Sequence, residues 1–134
     1  MARRTEAYVD TSALIAFLDR SDSNHALFRR LFSDPPPLMT SSLVIAEGHG
    51  WFLRRYNARR AIQFLGFVEE LEALAVQTFG RDELNRASSL VRKFADQKLT
   101  LADAHGLLIM TERRVRVCWS TDRHLGLTGV PLVI

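Results

Sequence analysis

Short apolar runs alternate along this chain with longer stretches in which apolar residues recur at helical spacing, the pattern of strands interleaved with helices. Glu6 to Val9 reads as the first strand. Thr11-Ser12 then offers N-cap hydroxyls to a helix carrying Ala13, Leu14, Phe17 and Leu18 on one side. Ser21 to Asn24 forms a turn, after which Leu27, Phe28, Leu31 and Phe32 mark a second amphipathic helix. Asp34-Pro35-Pro36-Pro37 ends that helix, because proline lacks a donor and clashes with the preceding turn, and Leu38-Met39-Thr40 follows as a strand. Ser41 and Ser42 open a third helix, on which Leu43, Val44, Glu47 and Trp51 follow one another at helical steps, so Glu47 is expected on the apolar face. Asn57 caps a fourth helix with Ala61, Ile62, Phe64, Leu65 and Val68 as its stripe. Leu74 to Thr78 reads as the third strand, closed by Gly80. The fifth helix starts at Arg81 or Asp82 and runs to Ala95, with Leu84, Ala87, Leu90, Val91 and Phe94 inward. A sixth helix opens at Thr100, and Val115 to Trp119 and Pro131 to Ile134 read as the last strands.

Composition narrows the class. The 134 residues are read as one domain spanning 1–134, with the 47% hydrophobic and 25% charged content of an ordinary globular protein. No apolar run has the length of a signal segment or a membrane span, so a cytoplasmic protein without membrane contact is expected. The single cysteine, Cys118, lies in an apolar run, which excludes disulfides and thiolate metal sites within the chain. Net charge is +3, and sixteen of the eighteen cationic residues are arginine, several in pairs such as Arg3-Arg4, Arg54-Arg55 and Arg59-Arg60. Guanidinium groups suit phosphate geometry. The same pairs also read as solvated helix faces.

Four carboxylates stand out. Asp10 falls at the carboxyl end of the first strand, the edge where open α/β sheets bind ligands, although aspartate is also a common N-cap. Glu47, placed on an apolar face, would need a cation or an arginine as partner. Asp103 stands three residues after Thr100, which reads either as a capping box or as an acid presented on the first turn of a helix. Asp122 repeats the arrangement of Asp10: strand, hydroxyl residue, acid, turn. Gathered in one cleft, such acids would repel one another unless Mg²⁺ or Mn²⁺ held them together. His49, Asp96 and His105 are left out of the site: His49 as a lone histidine, Asp96 as a loop residue, and His105 because it points to another side of its helix.

The stretches Tyr8-Val9-Asp10-Thr11-Ser12-Ala13-Leu14, Thr40-Ser41-Ser42-Leu43-Val44-Ile45-Ala46-Glu47, Leu99-Thr100-Leu101-Ala102-Asp103-Ala104 and Ser120-Thr121-Asp122-Arg123-His124 resemble, in order and spacing, the motifs of PIN domains. The likeness is specifically to the VapC-type ribonuclease toxins of bacterial toxin–antitoxin modules and covers nearly the whole chain. It implies a three-layer α/β/α sandwich with a central, mainly parallel sheet of four or five strands. It also implies a divalent-metal-dependent endoribonuclease that uses Mg²⁺ or Mn²⁺ and leaves a 5′-phosphate and a 3′-hydroxyl. Asp10 and Asp103 would be the chief metal ligands, with Asp122 as a further ligand and Glu47 completing the catalytic acids. Thr11 and Thr121 would support them, while Ser12 is assigned to helix capping. RNA as substrate, a small antitoxin partner and a homodimer follow from the same likeness. Gly48 and Gly50 soften the helix that carries Glu47, and no second acid follows Asp122, which leaves the number of metal ions open. A phosphoacceptor receiver domain is disfavoured, since Asp10 has no acidic neighbour and no lysine follows the late strand. A house-keeping RNA-processing nuclease and a degenerate domain that only binds RNA or a partner remain the alternatives.

Overall fold

Strands of three or four residues depend on the neighbours that bury them, and the two central strands of this sheet are held in that way. A computed structural model describes residues 6–134; the Arg3-Arg4 pair lies outside the described residues. The chain runs β1 (Ala7–Val9), α1 (Thr11–Leu18), α2 (His25–Ser33), β2 (Leu38–Ser41), α3 (Ser42–Arg55), α4 (Ala58–Glu70), β3 (Leu74–Gln77), α5 (Arg81–Lys93), α6 (Leu101–Glu112) and β4 (Val117–Trp119). Single 3₁₀ turns lie between α5 and α6 at Ala95–Gln97 and after β4 at Arg123–Gly126. The strands are all parallel in the order β3-β2-β1-β4, with Tyr8 opposite both Met39 and Cys118. Both β1 and β2 are buried along their whole length, as parallel strands covered on two faces must be.

Side chains alternate across the sheet into two cores. Ala7, Val9, Leu38 and Trp119 pack with Leu14, Phe28, Phe32, Phe52 and Phe64 from the helices α1 to α4. Tyr8, Met39 and Cys118 point the other way, against Leu107 and Met110 of α6, Leu125, and the partly buried Leu90 and Val91 of α5. This is the three-layer sandwich that the sequence predicts. The chain steps from β1 to β2 to β3 in one direction, then returns with β4 on the opposite side of β1. The strand order therefore reverses between β1 and β4, and ligand crevices form outside the carboxyl ends of strands at such a reversal.

Several expectations are corrected. Glu47 is exposed, because the buried face of α3 is Val44, Gly48 and Phe52, one step around the helix from the face expected. The last strand shrinks to one bridge between Cys118 and Leu132, flanked by hydrogen bonds from the Cys118 N–H to the Pro131 carbonyl and from the Val133 N–H to the Cys118 carbonyl. The strand expected from Val115 starts at Val117, since the Val115 N–H still bonds back to Met110 O and Arg114 adopts a positive φ of 51°. Helix α6 is buried almost all round from Ala102 to Met110, so it shows no single apolar stripe.

Gly48 sets the distance between α3 and α4. A Cβ there would lie 2.4 Å from Cζ of Phe64, whose side chain is fully buried and has nowhere to move. Alanine is favoured over glycine in a helix by about 1 kcal/mol, but overpacking a core costs about 1–3 kcal/mol. Gly48→Ala should therefore lower stability in urea unfolding. Gly66→Ala on α4, where no atom stands within 4 Å of the added methyl, should raise it by up to about 1 kcal/mol.

Candidate active site

At the reversal between β1 and β4 lies a cleft of about 230 Å³ whose walls include Asp10, Glu47, Asp103 and Asp122. Each acid comes from a different place in the chain: the end of β1, the middle of α3, the first turn of α6 and the turn after β4. All four acids singled out by sequence are thus brought to one cleft, although Glu47 reaches it as an exposed side chain.

Asp10 occupies the N-cap position of α1 but makes no side-chain cap bond. Its Oδ2 instead accepts hydrogen bonds from Ser12 Oγ at 3.1 Å and Ser120 Oγ at 2.9 Å. Ser120, fully buried, in turn accepts the Asp122 N–H at 2.9 Å, and Ser12 accepts the Thr121 N–H at 3.0 Å. Two hydroxyls therefore lock the ends of β1 and β4 together around one carboxylate. Thr121 contributes only its backbone to this lock and its side chain is exposed; the hydroxyl that supports Asp10 belongs to Ser120, one residue earlier. Ser12, assigned to capping from sequence, is part of the support. Burial pushes Asp10 up to about 6, against the opposing hydrogen bonds from Ser120, the Thr11 N–H and Ser12, and the charge of Asp103 adds to the rise.

Asp103 fulfils both readings left open by the sequence. Its N–H donates to Thr100 Oγ1 at 3.0 Å and its Oδ2 accepts the Thr100 N–H at 3.1 Å, a complete capping box, while the same carboxylate lines the cleft. Asp122 Oδ1 accepts the His124 N–H at 3.0 Å and lies 2.9 Å from His124 Nδ1. Donor atoms of Asp103, Asp122 and His124 all fall within 4.8 Å of one another. His124 joins these acids without being singled out by its residue type; the signal in the sequence is its place two residues after Asp122, where a turn brings the ring back. His105 is buried against Ser41 Oγ, 2.6 Å from Nδ1, outside this cluster. Asp96 is an exposed turn residue that accepts a bond from Gln97 Nε2.

The donor set fits a hard divalent cation. Carboxylate oxygens dominate it, and Thr11 Oγ1, buried at the cleft wall, has no hydrogen-bond partner among the described residues. The buried Thr11 hydroxyl and the buried Asp10 carboxylate thus leave oxygen atoms of two neighbouring residues for such a cation.

A parallel sheet with this acidic cleft at its strand reversal defines a fold and site that other proteins share. Residues 7–128 match the family model described as PIN domain, and the chain belongs to that family. It is 29% identical over 118 residues to ribonuclease VapC26 of Mycobacterium tuberculosis, covering 86% of this chain and 85% of that one. Among solved structures it resembles M. tuberculosis VapC20, a sarcin-ricin loop cleaving toxin, with a TM-score of 0.83 and 22% identity over 92% of this chain and 95% of that one. VapBC2 from Rickettsia felis, bound to a DNA fragment from its promoter, matches with a TM-score of 0.63 and 12% identity over 95% and 96% of the two chains.

The raised Asp10 gives a signed expectation for metal-free protein. A carboxyl lifted from 3.8 to about 6 stabilises the fold fully below its unfolded value, and that contribution is lost as pH rises through 6. In EDTA at pH 7.5, Asp10→Asn should therefore be more stable than the parent by up to about 3 kcal/mol. The gap should close as thermal melts are taken down to pH 4.

Proposed function

We propose that this chain is a divalent-metal-dependent endoribonuclease and the toxin of a type II toxin–antitoxin module, acting as a single cytoplasmic domain over 1–134. The observation that carries the reading is the convergence of Asp10, Asp103 and Asp122 on one cleft, with Asp10 buried and held by two hydroxyls. The relatives support the rest: one is named a ribonuclease, another a loop-cleaving toxin, and the R. felis structure is of a VapBC pair. RNA is the substrate, a small antitoxin the partner, and a homodimer the working form.

Asp10, Asp103 and Asp122 would hold Mg²⁺ or Mn²⁺, with Thr11 Oγ1 available beside them. When bound, the cation supplies charge to the scissile phosphate and lowers the pKa of a water it holds. The protein's own groups do the positioning. Ser12 and Ser120 fix the rotamer of Asp10, and Thr100 fixes Asp103. Glu47, exposed at the cleft edge and without an ion pair among the described residues, serves as acceptor for the proton of the attacking water. No helix among the described residues is long and apolar enough to cross a membrane.

The test is cleavage of a structured RNA pool by purified protein. Cuts that need Mg²⁺ or Mn²⁺ and stop with EDTA are expected, with 5′-phosphate and 3′-hydroxyl ends. Asp10→Asn and Asp103→Asn should abolish them, and Ser120→Ala should slow them by about 10- to 100-fold. Cleavage that survives EDTA, or that Asp103→Asn leaves untouched, would sink the assignment. For the toxin role, induced expression should arrest growth, and co-expression of a cognate antitoxin should relieve it.

A further inference from the structure

The acidic floor of the cleft accounts for a cation but offers nothing to a polyanion. The opposite wall is different. Glu47, Trp51 and Arg54 stand at i, i+4 and i+7 on α3, one stripe that faces the cleft for about 10 Å along the helix. Trp51 is half-buried and Arg54 exposed.

Both side chains are set in place. Trp51 meets Phe52 edge-on, with centroids 4.9 Å apart, and Tyr56 at 6.0 Å. Tyr56 is itself pinned, since its hydroxyl donates to the buried Asp19 at 3.0 Å and the Arg60 guanidinium lies 4.4 Å from its ring centroid. The indole therefore presents itself from a fixed aromatic stack. Arg54 folds back along the helix over Gly50, where a Cβ would come within 2.9 Å of Nη1. Among the described residues it is the one cation lining the cleft, and it forms no salt bridge with any of them. A free guanidinium that does not pair with any of the neighbouring carboxylates stays available for a phosphate.

Building on the ribonuclease reading, we infer that Trp51 and Arg54 form a nucleotide subsite. Trp51 stacks the base of an unpaired nucleotide next to the scissile phosphate, and Arg54 holds that nucleotide's own phosphate. Stacking tolerates any base, because every base has a π-face, whereas a base inside a duplex has no face free to offer. The subsite therefore selects for unpaired RNA and is indifferent to base identity at this position.

The test uses the full chain carrying Asp10→Asn, which removes cleavage and part of the repulsion, with single-stranded oligouridylate as probe. Of the two tryptophans, Trp119 is only 3% exposed, so fluorescence quenching on binding reads Trp51. Quenching is expected with the single strand, far less with the same strand annealed to its complement, and none in Trp51→Phe, where Trp119 alone remains. By anisotropy of labelled oligonucleotide, Trp51→Leu should weaken binding about tenfold or more, and Trp51→Phe should recover most of the loss. Arg54→Gln should make the slope of log affinity against log salt shallower by about 0.7, a change that a purely structural side chain would not produce. Arg54 is exposed, so this variant folds whatever happens to Trp51→Leu. Parental affinity in Trp51→Leu together with a parental salt slope in Arg54→Gln overturns the subsite. With Asp10 intact, both variants should raise KM for RNA and leave kcat nearly unchanged. If that chain cuts no RNA while quenching and salt slope behave as expected, the nuclease reading falls and the subsite stands. If it cuts RNA and both variants keep the parental KM, the subsite falls and the nuclease stands.

Discussion

A carboxylate taken out of water at the end of a parallel strand is the constraint around which this protein is arranged. Asp10 is 6% exposed, and its N–H still bonds to Trp119 O at 3.0 Å, so the ladder between β1 and β4 continues to the point where the charge sits. Beyond that residue, the strands have no more ladder to offer, and side chains must close the gap. Ser12 and Ser120 do so, each donating to the same carboxylate oxygen and each accepting a backbone N–H from the turn after β4. The turn that carries Asp122 is thus fixed by the group that stabilises Asp10. Removing a hydroxyl would unfasten two acids, not one.

Like charges in one cleft need compensation even before a cation arrives. The helices α1 and α6 both begin at its edge, with Thr11 and Asp103 in their first turns, so the positive ends of two helix dipoles point toward the acids. Asp103 gains further from its capping box with Thr100. Asp10 lacks that relief, since its hydrogen bonds do not outweigh its burial. The acid that ends β1 is therefore one whose charge needs a partner, while Asp122 is held by its own turn.

Much of this was legible in the sequence because the periodicities are short and clean. Proline and glycine mark the ends of elements, and Asn57, Ser41 and Thr100 all cap the helices that their positions predict. The acids were legible as a set because each stands at an element boundary. What escaped has a physical reason in each case. Glu47 was placed on the wrong face because Gly48, which has no side chain to weigh, lies at the centre of the buried stripe against Phe64. The closing strand failed because Pro131 cannot donate and one bridge is all the edge of β4 supports. Ser120 and Thr121 are equivalent hydroxyls on paper, and only the register of β4 decides which of them turns toward Asp10.

The two walls of the cleft also answer to different parts of the core. The acids from β1, β4 and α6 stand around the central strands, of which β1 and β2 are buried along their whole length. Glu47, Trp51 and Arg54 ride on α3, whose seat is the contact of Gly48 with Phe64 and the tilted packing of Phe52 on Phe64 at 5.6 Å. A small change in the spacing of α3 and α4 would therefore shift the wall that carries Glu47, Trp51 and Arg54 while the acidic floor stayed where it is. The two walls are therefore mechanically separate: variation along α3 can move Glu47, Trp51 and Arg54 without disturbing Asp10, Asp103 and Asp122.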